Sequence, residues 1–340
     1  MRANREKLVG ALTTAAKHCG GRWAHGNSVL VKWADNRLEV TGSDGSVGVA
    51  VEIPCGDGEG EAVVGRDALA VVGKMQDDEV SVKATDKSLI VTGETTSAEF
   101  VCVGGDYPRL EMGGDGTTID GKWLRESVER VAFAAGNHPD KPWMAGVCIY
   151  MDSGQPKGLV ATNSFRLASV GDLSSDDRLV VYANHLSDAV KTLGDEVVMG
   201  RSESAVWLRS NGYTWRLPVV DSGYPDVSKL LPKGGELATV ELSSAEIKRC
   251  MRTATIMGND TRVEVFLAGD LTVTSSGDTG EYQEVFEGVC TGEVMKLHWN
   301  AKYFTDAWLP GEVKIVVSSP SLPAFVRDED WLYMWTAYRS

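Results

Sequence analysis

No apolar run in the chain approaches the roughly 20 residues that a membrane-spanning helix needs. Met1 to Lys17 alternate Arg and Lys with Leu, Val and Ala and lack the apolar core of a secretory signal. Both absences predict a cytoplasmic protein with no membrane partner. The six cysteines include no Cys-x-x-Cys pair, so neither a zinc site nor the disulfide framework of a small secreted chain is expected, and the thiols read as reduced. The five histidines, His18, His25, His138, His185 and His298, have no metal-ligand spacing. There is no Gly-x-Ser-x-Gly elbow. Gly56-Asp57-Gly58-Glu59-Gly60 lacks the Lys-Ser/Thr of a phosphate-binding loop and reads as a hairpin. The carboxylates are numerous but paired by no pattern, so no enzymatic activity, cofactor or metal is expected. Basic residues are also in deficit: 34 Lys and Arg against 48 Asp and Glu leave a net charge of −14. That argues against coating DNA with the outer surface, because phosphate contacts need cations. It leaves open a protein that gathers its cations on one face.

What the chain does contain is repetition. Leu38-Glu39-Val40-Thr41-Gly42, Leu159-Val160-Ala161-Thr162-Asn163 and Leu271-Thr272-Val273-Thr274-Ser275 share a Leu-x-[Val/Ala]-Thr-small core. A second repeated phrase, Gly105-Asp106-Tyr107-Pro108 and Gly223-Tyr224-Pro225-Asp226, stands about a third of the chain apart. A period of roughly 110–120 residues exceeds the repeat of a solenoid and suits a whole domain. With Gly-rich breaks at Glu111–Gly116 and Pro232–Gly235, the expected domains are 1–116, 117–233 and 234–340.

Each third reads as helix, strands, helix, strands. Opening helices are expected over Arg2–His18, after Asp120 as N-cap, and after the capping box Ser243-Ser244-Ala245-Glu246. Second helices are expected over Gly65–Gln76, Ala183–Leu193 and Asn300–Trp308. Strands include Val313–Val317 and Trp331–Trp335. The short connections predict an α+β class with antiparallel sheets.

Four stretches resemble the bacterial DNA polymerase III sliding clamp, the beta subunit family. They are Lys141-Pro142-Trp143-Met144-Ala145-Gly146-Val147, Gly158 to Ala168, Asp221 to Asp226 with Leu231-Pro232, and Asn300-Ala301-Lys302-Tyr303. Their order and spacing hold along the whole chain. Two segments depart. Asn163-Ser164-Phe165 stands where the family has Asp-Gly-His, and Thr336 to Ser340 replaces its C-terminal Met-Pro-Met-Arg-Leu. The pattern is that of a diverged clamp, as from a virus or mobile element.

The resemblance implies three tandem clamp-type domains, each with two helices packed on antiparallel sheets. Two chains would pair head to tail in a ring of six domains encircling double-stranded DNA without reading its sequence. It implies cations on the inner helices: Arg2, Arg5, Lys7, Lys17, Lys122, Arg125, Lys248, Arg249 and Arg252, with Arg22 and Lys141 in loops. Singly, each is equally a solvated helix-face residue. A partner-peptide pocket for polymerase and clamp loader would be lined by Met144, Thr162, Ser164, Arg166, Leu167, Pro225, Lys229, Leu230, Met334, Trp335, Tyr338 and Arg339. Phe100, Cys102, Ile256 and Met257 are candidates for the homodimer contact and equally for core. The alternative is a clamp-like scaffold that no longer encircles DNA, since Glu6, Glu126, Glu129, Asp188 and Glu246 interleave with the cations.

Overall fold

The computed structural model describes residues 1–340 except 22–24, 108–109, 111–115, 221–222, 233–234, 279 and 339–340, and the side chains of 68 and 69. Six α-helices lie among the described residues: α1 Arg5–Lys17, α2 Leu69–Val72, α3 Gly121–Val131, α4 Ala183–Val190, α5 Ser244–Met257 and α6 Lys302–Thr305. The strands form four sheets with antiparallel pairings. Two compact units result, residues 1–122 with 188–219, and residues 123–187 with 220–340. The middle third of the chain is therefore divided between them.

The repeated Leu-x-[Val/Ala]-Thr phrase is the central strand of a three-stranded meander in every third. The meanders are 28–34/37–43/48–54, 146–152/155–162/166–171 and 262–268/270–277/280–286. Its Leu and Val/Ala side chains are buried each time: Leu38 and Val40, Leu159 and Ala161, Leu271 and Val273. In the first and last thirds the small residue closing the phrase meets the opening helix. A Cβ on Gly42 would stand 1.9 Å from the Ala15 carbonyl oxygen of α1. In the last third Ser275 takes that place and donates its hydroxyl to the Ala254 carbonyl of α5 at 2.8 Å.

A second meander follows in each third: 79–84/88–92/97–101, 196–201/205–210/213–218 and 312–317/324–328/331–335. The short strand ahead of each opening helix (2–4, 117–120, 238–243) pairs with its first member. The thirds then join edge to edge. Gly48–Pro54 pairs with Tyr213–Pro218, and Arg166–Gly171 pairs with Trp331–Trp335. The corresponding edges Ser97–Val101 and Gly280–Phe286 end their sheets, with no further strand beside them among the described residues.

Several elements differ from expectation. Arg2–Asn4 is extended, because pairing with Glu79–Ser81 outweighs the helical pattern, and Asn4 caps α1 by accepting from Lys7 N at 3.0 Å. The segment read as helix over Gly65–Gln76 holds only a 3₁₀ turn at Arg66–Ala68 and α2. α6 begins at Lys302, whose amide donates to Asn300 Oδ1 at 3.0 Å, and stops at Thr305. α4 stops at Val190, short of the expected Leu193. The capping box at α5 is present: Ser243 Oγ accepts from Glu246 N at 3.2 Å and donates to Glu246 Oε2 at 2.8 Å.

Candidate DNA-facing helices and partner groove

Leu8, Ala11, Leu12 and Ala15 of α1, and Ile247, Cys250, Met251 and Ala254 of α5, are buried, which turns the polar sides of both helices outward. The cations there differ in what they already bind. Lys17 pairs with Asp188 at 2.9 Å, Arg5 donates from Nε to the Asp77 carbonyl at 2.7 Å, and Arg249 grips both oxygens of Glu284. Arg125 also has a partner. Among the described residues, Arg2, Lys7, Lys122, Lys141, Lys248 and Arg252 form no ion pair; all are exposed except half-buried Lys248. Burial, then the charge of Arg252, lowers the Lys248 pKa. Arg22 lies outside the described residues.

The residues expected to line the partner pocket divide between the two faces of one sheet, as strand alternation requires. Thr162, Leu167 and Met334 are cross-strand neighbours on one face. Leu167 and Met334 pack there with Cys148, Val180, Tyr224 and Val227. The 3₁₀ turn Ser228–Leu230 springs from Val227 and carries Lys229, which is 3.8 Å from Asp226, and Leu230, which is 57% exposed. Pro225 is half-buried beside Tyr224. Met144 is buried, its carbonyl accepting Gly136 N at 2.7 Å.

Arg166 and Trp335 face the other way. Trp335 has no exposed surface and packs against Phe304, Tyr333 and Trp299, with ring centroids 4.8, 5.2 and 5.7 Å away. Arg166 lies over Tyr303, donates to the Phe133 carbonyl and pairs with Asp306 at 3.5 Å. Trp335 is therefore sealed behind the sheet, and Arg166 lies half-buried on the same side. Arg339 lies outside the described residues.

A groove of about 920 Å³ opens in this unit, and of the expected residues it is lined by Ser164 and Tyr338. Its other walls are Phe165, the strand Met295–Asn300, Tyr303, the loop at Pro320-Ser321, and Thr336-Ala337. Ser164 holds a left-handed φ of 71°, and Asn163 Oδ1 accepts from Phe165 N at 3.0 Å and Arg166 N at 2.9 Å. This turn pushes Phe165 outward, 62% exposed. The C-terminal segment is held at both ends: Thr336 N donates to Phe165 O, and Tyr338 N to His298 O, each at 2.8 Å. Asn300 Nδ2 donates to Tyr338 Oη at 2.9 Å, and Arg262 stacks on the Tyr338 ring. Burial first, then the charge of Arg262, holds His298 below the usual imidazole range, so it is neutral near pH 7. Lys296 pairs with Glu264 at 2.8 Å. The sequence signals for this groove were the departures at Asn163-Ser164-Phe165 and Thr336 onward and the motif Asn300-Ala301-Lys302-Tyr303; the contribution of Lys296, His298 and Pro320 was not legible.

At the proposed dimer contact, Phe100 and Cys102 are half-buried, and Cys102 bridges to Val64. Ile256 is 77% exposed at the end of α5, with Met257 half-buried beside it. Val101, 80% exposed, and Val285 were not foreseen. Each lies on a strand at the end of its sheet, Val101 on Ser97–Val101 and Val285 on Gly280–Phe286.

No protein-family model matches the chain. Among curated proteins it is similar to the beta sliding clamp of Pseudomonas putida, 22% identical over 327 residues that cover 89% of this chain and 88% of that one. The beta sliding clamp of Streptococcus pneumoniae is 22% identical over 298 residues, 80% of this chain and 78% of that protein. Among solved structures, the DNA polymerase sliding clamp of Pseudomonas aeruginosa superposes with a TM-score of 0.90 at 20% identity, covering 100% of this chain and 99% of that one. That of Bacillus subtilis gives 0.87 at 19% identity, over 100% and 98%. The fold is that of a sliding clamp.

Proposed function

We infer that this chain, a diverged relative of the bacterial beta sliding clamps, is itself a DNA sliding clamp: a non-enzymatic processivity factor that encircles duplex DNA and tethers the replicative polymerase. The observation that carries this reading is the threefold repeat of one strand-and-helix plan, joined edge to edge twice, with the corresponding edges Ser97–Val101 and Gly280–Phe286 left without a partner strand among the described residues. A second copy placed head to tail brings Ser97–Val101 of one chain beside Gly280–Phe286 of the other and closes six domains into a ring. The domains of each chain are 1–116, 117–233 and 234–340. Exposed Val101 and Val285 support this contact, because apolar side chains on an open edge favour pairing, and exposed Ile256 at the end of α5 adds apolar surface.

The cations of α1, α3 and α5 that lack internal partners would meet phosphates, weakly and interchangeably, as sliding requires. Retention then comes from topology. Polymerase and clamp loader would dock through short segments at exposed Leu230, above the buried cluster of Leu167 and Met334, and at the groove of Ser164 and Tyr338. A cytoplasmic site of action follows from this role. The scaffold reading separates cleanly: loaded protein should remain on nicked circular DNA through a high-salt wash and be lost once the circle is linearised. Equal loss from both forms would establish the scaffold instead.

A further inference from the structure

Resting on the clamp reading, we propose that Arg249 sets the condition for closing the ring. It compensates the Glu284 carboxylate behind strand Gly280–Phe286, and without it a second copy's Ser97–Val101 cannot seat there. Arg249 reaches across from α5, donating from Nη1 to Glu284 Oε2 at 3.2 Å and from Nη2 to Oε1. Tyr282 donates its hydroxyl to the same carboxylate. Burial alone would raise the Glu284 pKa. The hydrogen bonds of Arg249 and then Tyr282 override it and hold the group below the usual carboxylate range, so it is charged near pH 7.

The threefold repeat sets this pair apart. Opposite the Val/Ala of the Leu-x-[Val/Ala]-Thr phrase stand Val51, Ala168 and Glu284. Val51 and Ala168 are buried, and across their joints they face Tyr213 and Tyr333. Arg249 has no counterpart either. Counted from Asn4, Asp120 and Ser243 ahead of the opening helices, its place is held by Gly10 and Glu126. The two joints made within the chain therefore close over apolar side chains at this position, whereas the joint between chains closes over a carboxylate.

The strand that would cover Glu284 brings no cation. Ala98 and Phe100 are half-buried and pair with buried Val91 and Leu89, so they share the core face, while Ser97, Glu99 and Val101 are exposed on the other. Glu284 pairs with buried Val273 and lies on the core face of its own sheet. An edge-to-edge joint continues one core face into the other, so closure takes Glu284 out of water beside the other copy's Ala98 and Phe100. An ionised carboxylate in that setting is costly unless a cation of its own chain already meets it. Arg166, the charge behind the second joint, is likewise met, by Asp306 at 3.5 Å.

The test is sedimentation equilibrium on the full chain without DNA, with circular dichroism as the check on folding. Arg249→Met should weaken dimerisation at least about tenfold, because it leaves the covered carboxylate uncompensated. Adding Glu284→Gln to that variant should bring dimerisation back to within about threefold of the parent, a rescue that a merely structural role for Arg249 would not give. Glu284→Gln alone should dimerise at least as tightly as the parent, since Arg249 is 57% exposed and can stay hydrated. R249M dimerising like the parent, a double variant as weak as R249M, or an E284Q dimer about tenfold weaker than the parent each overturns the proposal. Retention on circular DNA is measured on the same preparations. A retained, dimeric parent with an indifferent R249M overturns this inference alone; a parent that stays monomeric and is lost from circles overturns the clamp reading and this inference with it.

Discussion

Tyr107 and Tyr224, the aromatic residues of the repeated turn, are buried and donate their hydroxyls to backbone carbonyls, Ser28 O at 3.1 Å and Val160 O at 3.2 Å. Burial pushes both phenol pKa values up, so both stay protonated donors at any working pH. Tyr224→Phe leaves the Val160 carbonyl without this donor inside a packed cluster, and urea denaturation should register a loss of about 1–2 kcal/mol. A second residue-scale expectation concerns acid. Burial alone would raise the Asp188 pKa, but the hydrogen bond and charge of Lys17, then Lys191, override it and hold the carboxyl below the usual carboxylate range. A depressed carboxylate stabilises the fold above the unfolded value, about pH 4, and that contribution is lost as pH falls through the folded value. Lys17→Met should therefore be less stable than the parent at pH 7, with the gap closing toward pH 2 in urea titrations at both pH values.

At the scale of elements, strands were more legible than helices. Trp331–Trp335 reads as a strand from its composition, and the structure gives the same bounds. Its alternation then sorts Leu332 and Met334 to one face and Trp331, Tyr333 and Trp335 to the other. The short second helices were over-read, because a helical apolar pattern continues past the point where α2 and α6 give way to turns. Edge status was invisible, since whether Ser97–Val101 has a neighbour depends on partners far along the chain. It yields an expectation all the same. Val101→Lys and Val285→Lys each place a charge on an edge proposed to pair, so sedimentation equilibrium should show at least about tenfold weaker dimerisation with an unchanged circular dichroism spectrum. Dimerisation equal to that of the parent would remove these edges from the interface.

For the whole molecule, the excess of acid and the proposed grip on DNA are compatible because cations are counted by what they already bind. Arg249 is engaged by Glu284, whereas Arg252, on the same helix, pairs with no acid among the described residues. In salt titrations of DNA binding, Arg252→Gln should reduce the slope of log K against log salt by about 0.9 for each phosphate contact removed. Arg249→Gln should change it far less. The reverse order would mean that the pair with Glu284 opens on DNA.

The amino-acid sequence alone determined the period, the class, the strand phrases that make each core and the absence of catalytic or metal spacing, because these rest on neighbours a few residues apart. Only the tertiary structure decided which strands join, which edges stay open, which cations are already engaged, and that Arg166 and Trp335 lie behind the sheet that carries Leu167 and Met334. The physical reason is the same in each case. A strand's facing and a charge's partner are set by pairings between residues scores of positions apart, and no local pattern encodes which pairing forms.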